Sequence, residues 1–226
     1  MTNTTTVKFE GHISKSLLIS DMDGTLTKGS IVLEHAGFLI EKGLIQDDGS
    51  YQAWNKDRKN EKLIIAVAEN YRKEITGKTI EQLHVDEFIQ LALANEENWY
   101  STLGLLKQAK ATGNDVVIIS GSSNFLVQGV AKALGFAGIG TWYYTDEEGK
   151  LTGEVKGMFG YEAKEKWINE NIINKDEYSL VVGLGDTSSD FAIFNASQYN
   201  ILVEPTAETL EQALEQKIQI DEILHK

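Results

Sequence analysis

The sequence predicts a doubly wound α/β domain, a parallel sheet with helices on both faces, interrupted early by a helical insertion. Three observations carry this. Four short runs, Ser16–Ser20, Asp115–Ser120, Ser179–Gly185 and Tyr199–Val203, are nearly continuous in Val, Ile and Leu, as strands covered on both faces are. Helical patterns follow at 123–134, 187–195 and 207–224, and strand–helix alternation builds parallel sheets. The stretch 28–110 has no strand-like run and several helical ones.

Taken in order, residues 1–15 are polar and threonine-rich and read as a loose arm or short edge strand. The first apolar run is too short for a helix and ends in Asp21-Met-Asp-Gly-Thr25. The insert reads as helices over 29–43, 50–76, 79–95 and 97–112, punctuated by glycines at 43, 49, 77 and 113. Within 79–95, Ile80, Leu83, His84, Phe88 and Leu91 share one apolar face, which makes His84 a packed residue. A helical block of this size reads as a second, smaller domain over 28–110, leaving 1–27 and 111–226 as the α/β core. Residues 139–155 read as a hairpin turning at Asp146–Gly149, and Trp142-Tyr-Tyr144 as its packing. The single proline, Pro205, follows the last strand run, where the chain must reverse.

Composition narrows the function classes. Apolar residues make up 42% and charged residues 24% of 226 residues, the balance of a globular chain. Acidic residues outnumber basic ones 34 to 21, a net charge of −13. Such a surface repels nucleic acid and anionic membranes, so neither is an expected partner. An anionic small substrate needs a local inversion of that field by a metal ion, a placed lysine or helix N-termini. There is no cysteine, which excludes disulfides, thiolate chemistry and cysteine zinc sites. The longest notable apolar stretch, Leu63–Ala68, falls far short of the roughly 18–20 residues of a membrane span. The first twelve residues lack the basic start and apolar stretch of an export signal. A cytoplasmic protein, as a monomer or homodimer, is the expectation.

Open parallel sheets bind ligands beyond the carboxyl ends of their strands. The first run delivers Asp21 and Asp23 there, the second Ser120 and Gly121, and the third Gly185, Asp186 and, four residues on, Asp190. Carboxylates brought that close raise one another's pKa, and desolvation adds to the cost. A hard cation with oxygen ligands resolves this, and Mg²⁺ fits a site with few carboxylates and a phosphate partner. Asp21 and Asp23 stand two apart, so in extended backbone they point the same way, and Gly24 permits the turn that follows. The pair suits nucleophilic attack by one carboxylate and proton transfer by the other.

Asp21-Met-Asp-Gly-Thr-Leu-Thr27 resembles the first motif of the haloacid dehalogenase (HAD) superfamily of phosphohydrolases, DxDGT(L/V)T. Ser120 at the end of an apolar strand resembles the second motif, and Gly185-Asp-Thr-Ser-Ser-Asp190 the fourth, GDxxxD. The third motif is a lysine ahead of it. Lys164, in Gly160-Tyr-Glu-Ala-Lys-Glu-Lys166, sits where the phosphoserine-phosphatase-like branch has GxGK, with Lys156 the alternative and Lys166 less suited. The insert resembles that branch's helical cap, and Gly121-Ser-Ser-Asn-Phe-Leu126 and Val203-Glu-Pro205 are similar to its segments.

The resemblance implies a HAD-like, Rossmannoid sheet and a Mg²⁺-dependent phosphomonoesterase acting on a small phosphorylated metabolite. Asp21 attacks phosphorus to give an aspartyl-phosphate, and Asp23 protonates the leaving oxygen and then deprotonates water. Mg²⁺ is held by Asp21, the Asp23 carbonyl and Asp186. Ser120 and the Gly121 amide bind phosphoryl oxygens, Lys164 adds positive charge, and Asp190 orients metal-bound water or Lys164. The same fold also serves phosphotransferases and mutases, and a phosphoryl-binding, receiver-like module is a further alternative. A receiver needs neither the cap nor Asp23. Dehalogenation leaves Asp23 and the fourth motif without a use.

Each residue has a plainer reading alone: Asp-x-Asp-Gly as a solvated turn, Ser120 or Asp186 as a helix cap, Asp190 as a first-turn acid. The four motifs in order outweigh those readings. Gly183-Leu-Gly185-Asp-Thr-Ser188 lacks the third glycine of a dinucleotide fingerprint, there is no GxSxG elbow, and the four histidines show no metal spacing. Phosphoserine phosphatases carry an acid shortly after the first motif. Here Ser30 occupies that neighbourhood and the first acid is Glu34. Ser30, Glu34, His35 and the cap arginine Arg58 are the candidates for contacts to the leaving group, although an arginine on a solvated helix face is the plainer reading of Arg58 and Arg72.

Overall fold

The structure, a computed structural model, describes residues 9–10, 14–58, 60–158, 160–173 and 175–225. In chain order the elements are β1 (Phe9–Glu10), β2 (Ser16–Ser20), α1 (Ile31–Glu41), α2 (Ser50–Lys56), α3 (Glu61–Ile75), α4 (Val85–Ala94), α5 (Ser101–Ala111), β3 (Asp115–Ser123), α6 (Asn124–Leu134), β4 (Ala137–Thr145), β5 (Leu151–Lys156), α7 (Gly160–Asn171), β6 (Ile172–Ile173), β7 (Leu180–Gly185), α8 (Phe191–Asn195), β8 (Tyr199–Val203), α9 (Ala207–Glu215) and β9 (Glu222–Leu224). Seven strands form one sheet in the order β5-β4-β3-β2-β7-β8-β9. All its pairings are parallel except β4 with β5. The expected doubly wound sheet is therefore the fold.

Alternation along the strands explains their all-apolar sequences. In β2, Leu18 faces a core shared with α1, α3, α4, α5 and α6, while Leu17 and Ile19 face a second core shared with α7, α8 and α9. β3 repeats this with Val116 and Ile118 against Val117 and Ile119. Both faces are covered, so each position buries an apolar side chain, worth about 1.5–3 kcal/mol apiece. β2 lies between β3 and β7 in the middle of the sheet. The carboxyl end of β2 is thus flanked by those of the two strands that deliver Ser120 and Asp186. No described helix is long and apolar enough to cross a membrane.

Several expected elements differ. The 50–76 helix is two helices, broken between Lys56 and Glu61, where Asn60 Nδ2 donates to Asp57 Oδ2 (3.1 Å). The 79–95 helix is a 3-10 turn over Glu81–Leu83 followed by α4, with His84 between them at φ +50°. That break rotates the helix phase. Val85 and Ile89 join Phe88 in the core, while Leu91 is 56% exposed and His84 lies at the surface. The expectation that His84 is packed is thus corrected. The 207–224 helix ends at Glu215. Lys217 turns at φ +55°, and β9 adds parallel to β8 with Ile201 opposite Glu222. Ile218 and Ile220 pack on the second core, an alternation of strand type inside a helical-looking stretch. Of the N-terminal arm, Phe9–Glu10 pair with Ile172–Ile173 in a separate two-stranded sheet, and residues 1–8 and 11–13 lie outside the described residues.

His35 is fully buried on α1. Its Nε2 donates to the Leu83 carbonyl (2.8 Å), so Nδ1 accepts from the Tyr71 hydroxyl (2.8 Å). It belongs to the core and contributes no leaving-group contact. Burial pushes its pKa down to about 4 from an ordinary 6.5. The native state then refuses a proton that the unfolded chain accepts, so stability is intact above pH 6.5 and declines as pH falls toward 4. At ~1.4 kcal/mol per unit, roughly 3 kcal/mol is at stake. Urea titrations of wild type and His35→Gln should show a stability gap that narrows by about that amount between pH 7 and 4. A constant gap contradicts this account.

Candidate active site

Three strand ends and helix α7 supply the site. β2 runs into Asp21, whose backbone N–H donates to the Leu184 carbonyl of β7 (3.0 Å). The chain then turns tightly, with Leu26 N–H returning to the Met22 carbonyl (2.9 Å). Gly24 makes the turn at φ +84°. A Cβ there would lie 2.2 Å from Asp186 Oδ2, so glycine both permits the backbone and leaves room for the carboxylate. Gly185 leaves room for Asp190, since a Cβ would sit 2.3 Å from the Asp190 Cβ.

A cavity of about 240 Å³ is lined by Asp21, Asp23, Ser120, Gly121, Lys164 and Asp186, with Met158, Gly160, Thr187 and Ser189. Six sequence-predicted residues are therefore brought together. Asp190 is fully buried behind them. Lys164 Nζ donates to Asp21 Oδ1 (2.7 Å) and Asp190 Oδ1 (2.5 Å). The other Asp190 oxygen accepts from the Asp186 and Thr187 amides (3.1 and 3.0 Å). Asp190 thus orients Lys164 and caps its own turn at once. Lys156 and Lys166 are exposed, so of the three lysines weighed only Lys164 is at the site.

The charges are poorly balanced. Four carboxylates face one ammonium. Burial, then the charges of Asp190, Asp186 and Asp23, hold the Asp21 carboxyl well above the usual range, against the pull of Lys164. Burial also raises Asp23, against hydrogen bonds from Ser122 and Ile31. Asp186 is pushed up to about 7 by burial and by Asp190. For Lys164, burial works against the charge, but Asp21 and Asp190 outweigh it and hold the ammonium above the ordinary lysine range.

A divalent cation fits this imbalance. Carboxylate oxygens of Asp21, Asp186 and Asp190 lie within 4.8 Å of one another, an all-oxygen donor set suited to a hard ion. Both Asp190 oxygens are already engaged, which leaves Asp21 and Asp186 as the available pair.

The expected leaving-group residues lie apart. Ser30, Glu34 and Arg58 line a second cavity of about 270 Å³, with Phe38, Tyr51, Phe88 and Trp99 among its walls. None of its lining residues lines the first cavity. Arg58 Nη1 donates to Glu34 Oε1 (2.8 Å), its Nη2 to Asn55 Oδ1 (2.9 Å), and its guanidinium lies 4.7 Å from the Trp54 ring centre. The cavities approach through Asp23, whose Oδ1 accepts from the Ile31 amide (2.8 Å) next to Ser30.

Two side chains at the site had no place in the sequence expectations. Thr25 Oγ1 donates to Asp186 Oδ1 (3.0 Å), and Ser122 Oγ donates to Asp23 Oδ2. Thr25 stands inside the first motif, where its position was readable. Ser122 lies past the apolar run ending at Ser120, where serine ordinarily reads as a helix cap, but the structure extends β3 through it to Ser123.

A family model for haloacid dehalogenase-like hydrolases matches residues 18–195. No curated protein is similar enough in sequence to match. Among solved structures, a Bordetella pertussis Tohama I protein of unknown function superposes with a TM-score of 0.69 at 18% identity, covering 91% of this chain and 97% of that one. A phosphoserine phosphatase in apo form gives 0.59 at 20% identity over 94% of each chain. A phospho-aspartyl intermediate analogue of phosphoserine phosphatase gives 0.56 at 20% identity, again over 94% of each.

Proposed function

This chain belongs to the haloacid dehalogenase-like hydrolase family, and on that premise we propose that it is a Mg²⁺-dependent phosphomonoesterase for a small phosphorylated metabolite. One observation carries the reading: Asp21, Asp23, Ser120, Gly121 and Asp186, from the ends of β2, β3 and β7, line one cavity with Lys164 of α7. Asp21, the Asp23 main-chain carbonyl and Asp186 would hold the ion, which when bound offsets phosphoryl charge and favours ionised carboxylates. The protein's own groups do the rest. An Asp21 oxygen forms a bond to phosphorus as the ester P–O bond breaks, and the departing oxygen takes its electron pair and a proton from Asp23. Asp23 then removes a proton from water, whose oxygen attacks the aspartyl-phosphate, freeing Asp21 and inorganic phosphate. Ser120 and the Gly121 amide orient the phosphoryl oxygens, and Lys164 offsets their charge.

The helical segment is the proposed cap. Its two connections run side by side: Lys28 N–H donates to the Asn98 carbonyl (2.9 Å) and Tyr100 N–H to the Leu26 carbonyl (2.8 Å). α5 packs on β3, which supports reading the part of the proposed 28–110 cap ahead of about residue 98 as the part that closes over the site. The second cavity, with Ser30, Glu34 and Arg58, is where we place recognition of the leaving alcohol. A cysteine-free chain suits a cytoplasmic enzyme.

Screening phosphorylated metabolites with Mg²⁺ and with EDTA tests the function. Phosphate release that requires Mg²⁺, falls at least about 100-fold in EDTA and returns on adding Mg²⁺ is the expected result. Turnover undiminished by EDTA removes the metal from the reading, and no release from any ester removes the phosphatase.

A further inference from the structure

The Ser122 hydroxyl takes no part in the steps above, yet it is built into the site. Ser122 is only 6% exposed, and its Oγ donates to Asp23 Oδ2. The β3–β4 register shifts between Ile119 and Ser123. Such an irregularity re-aims side chains at a strand end. Here the Ser122 amide also folds back to donate to Ser120 Oγ (3.1 Å). The Asp23 carboxyl is therefore gripped on both oxygens, by a core strand through Ser122 and by the first residue of α1 through the Ile31 amide.

We propose that Ser122 is a positioning residue of the reaction, holding the Asp23 carboxyl in the direction from which it passes its proton to the leaving oxygen. The proposal rests on the reading of Asp23 as the acid and base. The two grips differ in kind. An amide N–H can only donate, whereas a hydroxyl donates or accepts. The Ile31 amide keeps its acceptor as long as Oδ1 is unprotonated, and the Ser122 hydroxyl can stay bonded to Oδ2 in either protonation state, so the carboxyl is held both before and after the proton has left. A free aspartate side chain samples several rotamers, and misplacement of a reacting group by about 1 Å can cost on the order of 100-fold.

Ser122→Ala removes the grip and little volume. The test compares kcat/KM for p-nitrophenyl phosphate and phenyl phosphate, which share a ring and differ in how much the departing oxygen needs a proton. The variant should lose about tenfold more on phenyl phosphate than on the nitro ester, with an unchanged melting temperature. Equal losses on both esters, or none, overturn the proposal, because a merely structural serine cannot sense the leaving group. Failure of the phosphatase reading looks different: wild type then cleaves neither ester, and the positioning role falls with it.

Discussion

Asp21→Asn should abolish hydrolysis of p-nitrophenyl phosphate while the protein stays folded. The substitution changes one oxygen to an amide nitrogen in a side chain that is almost fully buried. The remaining oxygen can still accept from Lys164 Nζ, as Asp21 Oδ1 does at 2.7 Å, so the ammonium keeps both partners. One of four crowded carboxylates disappears, and burial and neighbouring charge already disfavour that one's ionised form. The melting temperature should therefore hold or rise. Chemistry should fail, because an amide does not attack phosphorus and no other carboxylate shares the position at the end of β2. The expected loss in kcat is about 10³-fold or more, on the order of 4 kcal/mol of transition-state stabilisation. Undiminished turnover in a folded Asp21→Asn protein would end the nucleophile assignment.

The residues behind that expectation were readable because each sits at a fixed offset from an apolar run. Strands buried on both faces spell themselves out as Val, Ile and Leu, and the chemistry follows at their ends. Lys164 was harder, since a lysine in a charged stretch looks solvated. Only the fold shows that α7 turns it inward to a site 2% exposed. Ser122 was invisible for a different reason. Its direction depends on an irregular pairing of β3 with β4, and register shifts leave no mark in hydrophobic pattern.

The helical segment was legible as helix and much less so in detail. Periodicity reports which residues could share a face, but a single left-handed residue such as His84 resets the phase. At the C-terminus, helix and strand patterns overlap, and the choice falls to pairing. The Asn200 amide donates to Asp221 Oδ2 (2.7 Å) and the Asp221 amide to the Asn200 carbonyl (2.9 Å), anchoring β9 to the sheet edge. Those contacts join residues about twenty positions apart, beyond the reach of any local propensity. The pairing of Glu34 with Arg58 likewise needs the turn between α1 and α2, which the sequence states only as two glycines, Gly43 and Gly49.

Lys164→Met should damage both stability and turnover. The side chain lies among groups that cannot be resolvated, with Asp21 at 2.7 Å and Asp190 at 2.5 Å. Methionine fills much of the volume but leaves two buried carboxylates facing one another, with Asp186 adding a third charge nearby. Breaking a buried pair from one side costs about 3–5 kcal/mol. Part of that is recovered when a carboxyl takes up a proton, so the sign of the pH dependence follows. Loss of the ammonium raises the Asp21 and Asp186 pKa values further above those of the unfolded chain, and the penalty grows as pH rises. Chemical denaturation should show a deficit larger at pH 8 than at pH 6, without added metal. Turnover should fall by about 10³-fold, since both phosphoryl charge and the orientation of Asp21 lose their support. Arginine should not rescue it, because a planar five-donor fork does not fit a site shaped for a compact ammonium. A Lys164→Met protein within about 1 kcal/mol and tenfold of wild type would mean that the buried ammonium is not what balances this site.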